Sequence, residues 1–69
     1  MLKKRSFSLS GHRTSVALEE EFWIVLDGES EATGQSLSAL VARIDLTRGE
    51  KPLASALRLH ALAVKRNNI

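Results

Sequence analysis

Residues 12–18 read His12-Arg13-Thr14-Ser15-Val16-Ala17-Leu18 and run straight into Glu19-Glu20-Glu21. Strand side chains alternate between two faces, so the stretch is read as one short β-strand. Thr14, Val16 and Leu18 share one face and suit a core. Arg13, Ser15 and Ala17 share the other, a small polar set led by a cation. A lone strand leaves N–H and C=O groups unpaired on both edges, which is costly where they are buried. Past residue 19 the chain offers only helical patterns. The strand is therefore expected to pair with its own copy in a second chain.

Size points the same way. At 69 residues the chain makes one domain. A chain this short buries only about 60% of its unfolded surface, so a lone monomer is marginal. Disulfides, metals or oligomerisation are the usual remedies. There is no cysteine, and His12 and His60 have no ligand cluster around them. Oligomerisation is the remedy left, and no metal or cofactor is expected.

The hydrophobic share of 43% is that of a folded protein. No apolar run approaches the roughly 18 residues of a membrane span. No signal-peptide core follows Lys3-Lys4-Arg5, so a cytoplasmic location is expected. The net charge is only +2, but it is unevenly spread. Lys3, Lys4, Arg5, His12 and Arg13 precede the first helix, and acids concentrate between Glu19 and Glu31. Basic residues beside an acidic helix suggest one face for an anionic partner.

Residues 1–11 are read as a basic arm. Phe7 and Leu9 alternate with serines in a strand-like way. Ser10-Gly11 therefore offers a rival topology, a two-residue turn folding residues 5–9 onto 12–18. Serine suits a positive-φ position poorly, which disfavours this hairpin. A first helix is expected over about 20–33, with acids at its positive dipole end, a weak point at Gly28 and Gly34 as its terminator. Phe22, Trp23, Val25, Leu26 and Ser30 supply its buried side. Ser36 is the expected N-cap of a second helix over about 37–47, where Leu37, Leu40, Val41 and Ile44 form an apolar stripe. Pro52 suits the start of a third helix over about 53–66. That helix is apolar almost all round, and is read as dimer interface or docking surface. No internal repeat is visible.

Strand, helix, turn, helix is the order of a ribbon-helix-helix DNA-binding domain. Gly11-His12-Arg13-Thr14-Ser15-Val16-Ala17-Leu18-Glu19 with Glu21-Phe22-Trp23 resembles the strand and first-helix signature of a bacterial subfamily of that fold. Gly34-Gln35-Ser36-Leu37-Ser38-Ala39-Leu40-Val41 resembles its turn and second helix. Arg48-Gly49 and Leu53-Ala54-Ser55-Ala56-Leu57-Arg58 resemble its C-terminal extension. The resemblance implies an intertwined homodimer: an arm over 1–11, a core over 12–49 and a helical extension over 50–69. It implies a dimer core of Val16, Leu18, Phe22, Leu26, Leu37, Leu40, Val41 and Ile44.

The resemblance also implies a transcriptional regulator that binds double-stranded DNA. A two-stranded ribbon fits the major groove. Arg13, Ser15 and Ala17 match the base-contacting places. Ala17 stands where relatives often carry a polar side chain, so it can only pack on a thymine methyl. Ser36, with the N–H groups of Leu37 and Ser38, matches a phosphate anchor. Lys3, Lys4 and Arg5 could follow the DNA backbone or enter the minor groove. Taken without the resemblance, Arg13 is more simply an edge charge that discourages strand aggregation, Ser36 an ordinary cap and the arm a solubilising terminus. No nucleophile–base pair or ligand spacing suggests an enzyme. The alternative function is a protein-interaction module or antitoxin whose third helix holds a protein partner.

Overall fold

A computed structural model describes residues 1–67. Its elements are β1 (Leu2–Leu9), β2 (His12–Glu19), α1 (Glu20–Thr33), α2 (Leu37–Thr47) and α3 (Leu53–Asn67). The last two positions of the expected extension lie outside the described residues. The two strands form one antiparallel sheet, with Leu9 opposite His12, Phe7 opposite Thr14 and Arg5 opposite Val16.

The rival topology is the one present: the basic arm is a strand, and β2 pairs with it inside the same chain. The turn is the one that serine argued against: Ser10 takes φ 52° and Gly11 φ 81°, positive at both central positions. That is the turn geometry that matches the twist of a two-residue hairpin. Left-handed φ costs a non-glycine residue about 1–2 kcal/mol. Closing the hairpin buries Phe7 and Leu9 to 5% and 6% exposure. Each such burial is worth about 1.5–3 kcal/mol, so the pair outweighs the strain. Pairing within one chain also avoids the association cost of about 4 kcal/mol or more that a second chain would impose.

The helices form where their end signals place them. Glu20 and Glu21 occupy the first turn of α1, and Gly34 ends it at φ 75° with its N–H on the Glu31 carbonyl. The helix runs unbroken through Gly28. Ser36 caps α2, its Oγ accepting the Ala39 N–H at 3.0 Å. The Pro52 carbonyl accepts the Ala56 N–H at the head of α3.

The core lies between the inner face of the ribbon and the three helices. Leu18, Trp23, Leu26, Leu40, Val41 and Leu57 are wholly buried, with Val16, Ile44, Ala56 and Ala61 beside them. Phe22, Val25 and Leu37 pack partly against this cluster. Most residues expected to be buried between two chains are thus already buried inside one. α3, expected as an interface, contributes Ala56, Leu57 and Ala61 to that core and packs on α1, α2 and β2. Trp23, read as core, donates its indole N–H to the Lys3 carbonyl at 2.8 Å, which pins the start of β1.

Two cross-element ion pairs tie the helices to the ribbon. Arg5 on β1 donates to both Asp27 oxygens on α1, at 2.9 and 3.1 Å, with its guanidinium 4.7 Å above the Trp23 ring. Arg58 on α3 reaches Glu19 at 2.9 Å and lies over Phe22. His60 Nε2 meets Glu29, linking α3 to α1. The Arg58 hydrogen bond, then a backbone N–H, lowers the Glu19 carboxyl below its usual range. A carboxyl lowered in the folded state stabilises it above the ordinary carboxylate pKa. That contribution is lost as pH falls through the lowered folded value.

Two outcomes follow. Phe7→Ala should cost about 3–5 kcal/mol in urea unfolding, as a buried aromatic does, whereas a dispensable arm would show no change. Arg58→Gln should move the Glu19 side-chain NMR titration up towards ordinary values; an unmoved midpoint would deny Arg58 the leading role.

Candidate nucleic-acid interface

Side-chain alternation gives the hairpin an outer face opposite the core. The register puts Lys4 opposite Ala17, Ser6 opposite Ser15 and Ser8 opposite Arg13, so these six side chains share that face. Lys4, Ser6, Ser8, Arg13 and Ser15 are exposed and Ala17 is half-buried. Ser6 Oγ and Ser15 Oγ are hydrogen-bonded at 2.9 Å across the centre. The result is a low hydroxyl-lined surface with a long cation at each of two diagonal corners.

Six of the ten lysines and arginines fall into two groups. Arg5, Arg48 and Arg58 are held in ion pairs within the fold. Lys3, Lys4 and Arg13 form no salt bridge among the described residues. Arg5 was expected on the DNA backbone together with Lys3 and Lys4. Its register position lies on the opposite face from Lys4, and Asp27 and Trp23 hold it there.

Arg13, Ser15 and Ala17 fall together on the outer face, as their alternation implied. Sequence reasoning missed their neighbours Lys4, Ser6 and Ser8 as members of the same surface, because the arm was not given a strand partner. The signal was present in the alternation of Phe7 and Leu9 with serines.

A second anion-binding element is the start of α2. Ser36 accepts from Ala39, while the N–H groups of Leu37 and Ser38 precede the first full helical turn and have no intrahelical acceptor. Their N–H groups and the helix dipole present positive charge there. His12 is exposed at the turn end of β2. Among the described residues no group of acids and histidines is spaced to hold a metal ion, and no helix is long and apolar enough to cross a membrane.

No curated protein and no solved structure matches the chain. A family model described as a ribbon-helix-helix domain matches it over residues 2–64, which takes in both strands, α1, α2 and most of α3. A two-stranded antiparallel ribbon followed by capped helices is the architecture that this family name describes, and the chain belongs to the ribbon-helix-helix domain family.

Proposed function

We propose that the protein is a sequence-specific DNA-binding transcriptional regulator, a repressor acting in the bacterial cytoplasm, and that the outer face of its ribbon enters the major groove. One observation carries the reading. The outer face holds Lys4 and Arg13, without acidic partners among the described residues and separated by small side chains that let the backbone approach base edges. Arg13 has the donor fork that bonds guanine O6 and N7, and Ser15 can donate or accept. Ala17 offers a methyl surface. Lys3 and the α2 start at Ser36, Leu37 and Ser38 supply phosphate contacts, which position the ribbon without reading sequence. No catalysis and no cofactor form part of this role.

Ribbon-helix-helix domains generally bind DNA and dimerise, and a homodimer on the operator belongs to the same reading. It takes a changed form. Each chain brings a complete ribbon, so copies associate through open surfaces and not by exchanging β2. The outer backbone edges of β1 and β2 are such surfaces, since among the described residues the sheet has two strands only.

A second reading is favoured by one feature of α3. Leu59 and Leu62 are 52% and 57% exposed, with Ala63 beside them. A helix face of this kind suits a protein partner, as in an antitoxin. Leu59→Ser with Leu62→Ser separates the two roles: loss of a partner with DNA binding intact favours the interaction module.

Fluorescence anisotropy with labelled duplex tests the main reading. Affinity should fall with salt at a log–log slope of about −0.9 per neutralised phosphate. Arg13→Ala should weaken a selected site by about 1–3 kcal/mol more than random duplex. No binding at low salt overturns the proposal, and equal losses on both duplexes reduce Arg13 to a phosphate contact.

A further inference from the structure

α1 and α3 leave an open groove of about 460 Å³ between them. Ile24, Val25, Gly28 and Ala32 of α1 and Val64 and Lys65 of α3 line it. Ile24 is 64% exposed, although the opposite side of its helix fills the core. Helical spacing puts Glu21, Val25, Gly28 and Ala32 on one line along α1, with Ile24 on its flank.

Nothing within the chain accounts for Gly28. Glycine inside a helix weakens it relative to alanine. Positive φ occurs at Gly11, Gly34 and Gly49 but not at Gly28. A Cβ at Gly28 would meet nothing within 4 Å. Neither the backbone nor the packing of this chain therefore asks for glycine there. What a missing side chain offers is close approach by another backbone.

Charge decides which backbone. Arg58 meets Glu19 and His60 meets Glu29, so α3 advances along α1 in the same sense, and Lys65 lies beyond His60 towards the C-terminal end of α1. Glu21 lies at the N-terminal end of the same face. Both are exposed, and neither forms a salt bridge among the described residues. A face with an acid at one end and a cation at the other is complementary to itself when turned end for end.

We propose that this groove seats a second copy of the chain, whose α1 lies antiparallel across α1 on a two-fold axis at Gly28, with Lys65 of each copy beside Glu21 of the other. The proposal rests on the homodimer reading above and gives it a helical surface in place of the ribbon edges. The axis sets Ile24 of each copy on Ala32 of the other, so the exposed isoleucine is covered. A two-fold axis along α1 would instead set Glu21 against Glu21. The antiparallel crossing holds these two acids fourteen residues apart, about 21 Å at the helical rise. None of Lys4, Ser6, Ser8, Arg13, Ser15 and Ala17 lines the groove, so the outer face of each ribbon stays open.

Sedimentation equilibrium of the full chain tests this, carried to high micromolar concentration because contact through one groove is small. The unsubstituted chain should reach the mass of a dimer. Gly28→Gln should keep its helical circular dichroism but raise the dimer Kd roughly 5–150-fold, the effect of overpacking one contact. Lys65→Glu should also weaken the dimer, and adding Glu21→Lys should restore it, because the exchanged charges again meet as opposites. The chain has no cysteine, so Gly28→Cys reports the crossing directly. Cα atoms about 4–7 Å apart can be bridged by a disulfide. Mild oxidation should link Gly28→Cys into dimers much faster than Glu50→Cys, which is exposed and outside the groove.

A dimer that Gly28→Gln and Lys65→Glu leave unweakened, or equal linking of the two cysteine variants, puts association elsewhere. Either result overturns this inference while the homodimer stands. A chain that stays monomeric throughout overturns it too, and the number of chains bound per duplex then decides whether the homodimer survives on DNA.

Discussion

The two-residue turn at Ser10-Gly11 governs this structure. It fixes which residue of β1 faces which residue of β2, and side chains alternate strictly along each strand. A slip of one residue would send Phe7 and Leu9 to solvent and bring the serines inward. The strain at Ser10 is therefore offset by the whole inner face of β1, not by a local contact. Trp23 and Arg5 then lock the register. The indole N–H holds the Lys3 carbonyl, and the guanidinium sits between the Trp23 ring and Asp27. Both devices act on the end of β1 far from the turn, where a hairpin frays first.

That division of labour explains the unequal fates of neighbouring cations. Lys4 and Arg5 are adjacent, yet the pleat sends one outward and the other onto α1. Arg5 is a structural residue because an acid and an aromatic ring meet it on the inner side. Lys4 meets neither. The charge count of the segment could not separate them; only the strand's parity does. Parity alone does not decide the fate of Glu19 at the far end of β2, which shares the outward parity of Arg13, Ser15 and Ala17. It stands at the N-cap of α1 but makes no cap hydrogen bond with its side chain, because Arg58 takes the carboxylate. The carboxylate at that end of β2 is thereby paired by the third helix.

Much of this was legible in the sequence, and the reasons are local. Helix ends are written in single residues: Ser36 as an oxygen acceptor, Gly34 as a left-handed terminator and Pro52 ahead of α3. All three act where their chemistry says. The inward and outward sets of β2 follow from period two alone. Two things were not legible. β1 was obscured by a serine in a conformation that serine seldom takes, and the turn is decided by burial elsewhere, which no local rule weighs. The core of α3 was missed for a related reason: an all-round apolar helix reads as an interface, and whether it faces a partner chain or its own chain depends on topology. Here its own α1, α2 and β2 cover Ala56, Leu57 and Ala61, while Leu59 and Leu62 stay exposed.

Closing the core within one chain changes what binding would require. In a ribbon built from two chains, the reading surface exists only after association, so its formation depends on protein concentration. Here the surface is assembled by folding, and the side chains of Lys4 and Arg13 are spaced before any partner arrives. Ordering that is already complete is not charged against binding, which is the physical content of preorganisation. The cost falls elsewhere. A small domain has little stability to spare, and this one commits a strained turn, two ion pairs and a buried tryptophan to holding two short strands in register. Holding the inner side of the ribbon in register in this way fixes the spacing of the side chains on its outer side, Lys4 and Arg13 among them.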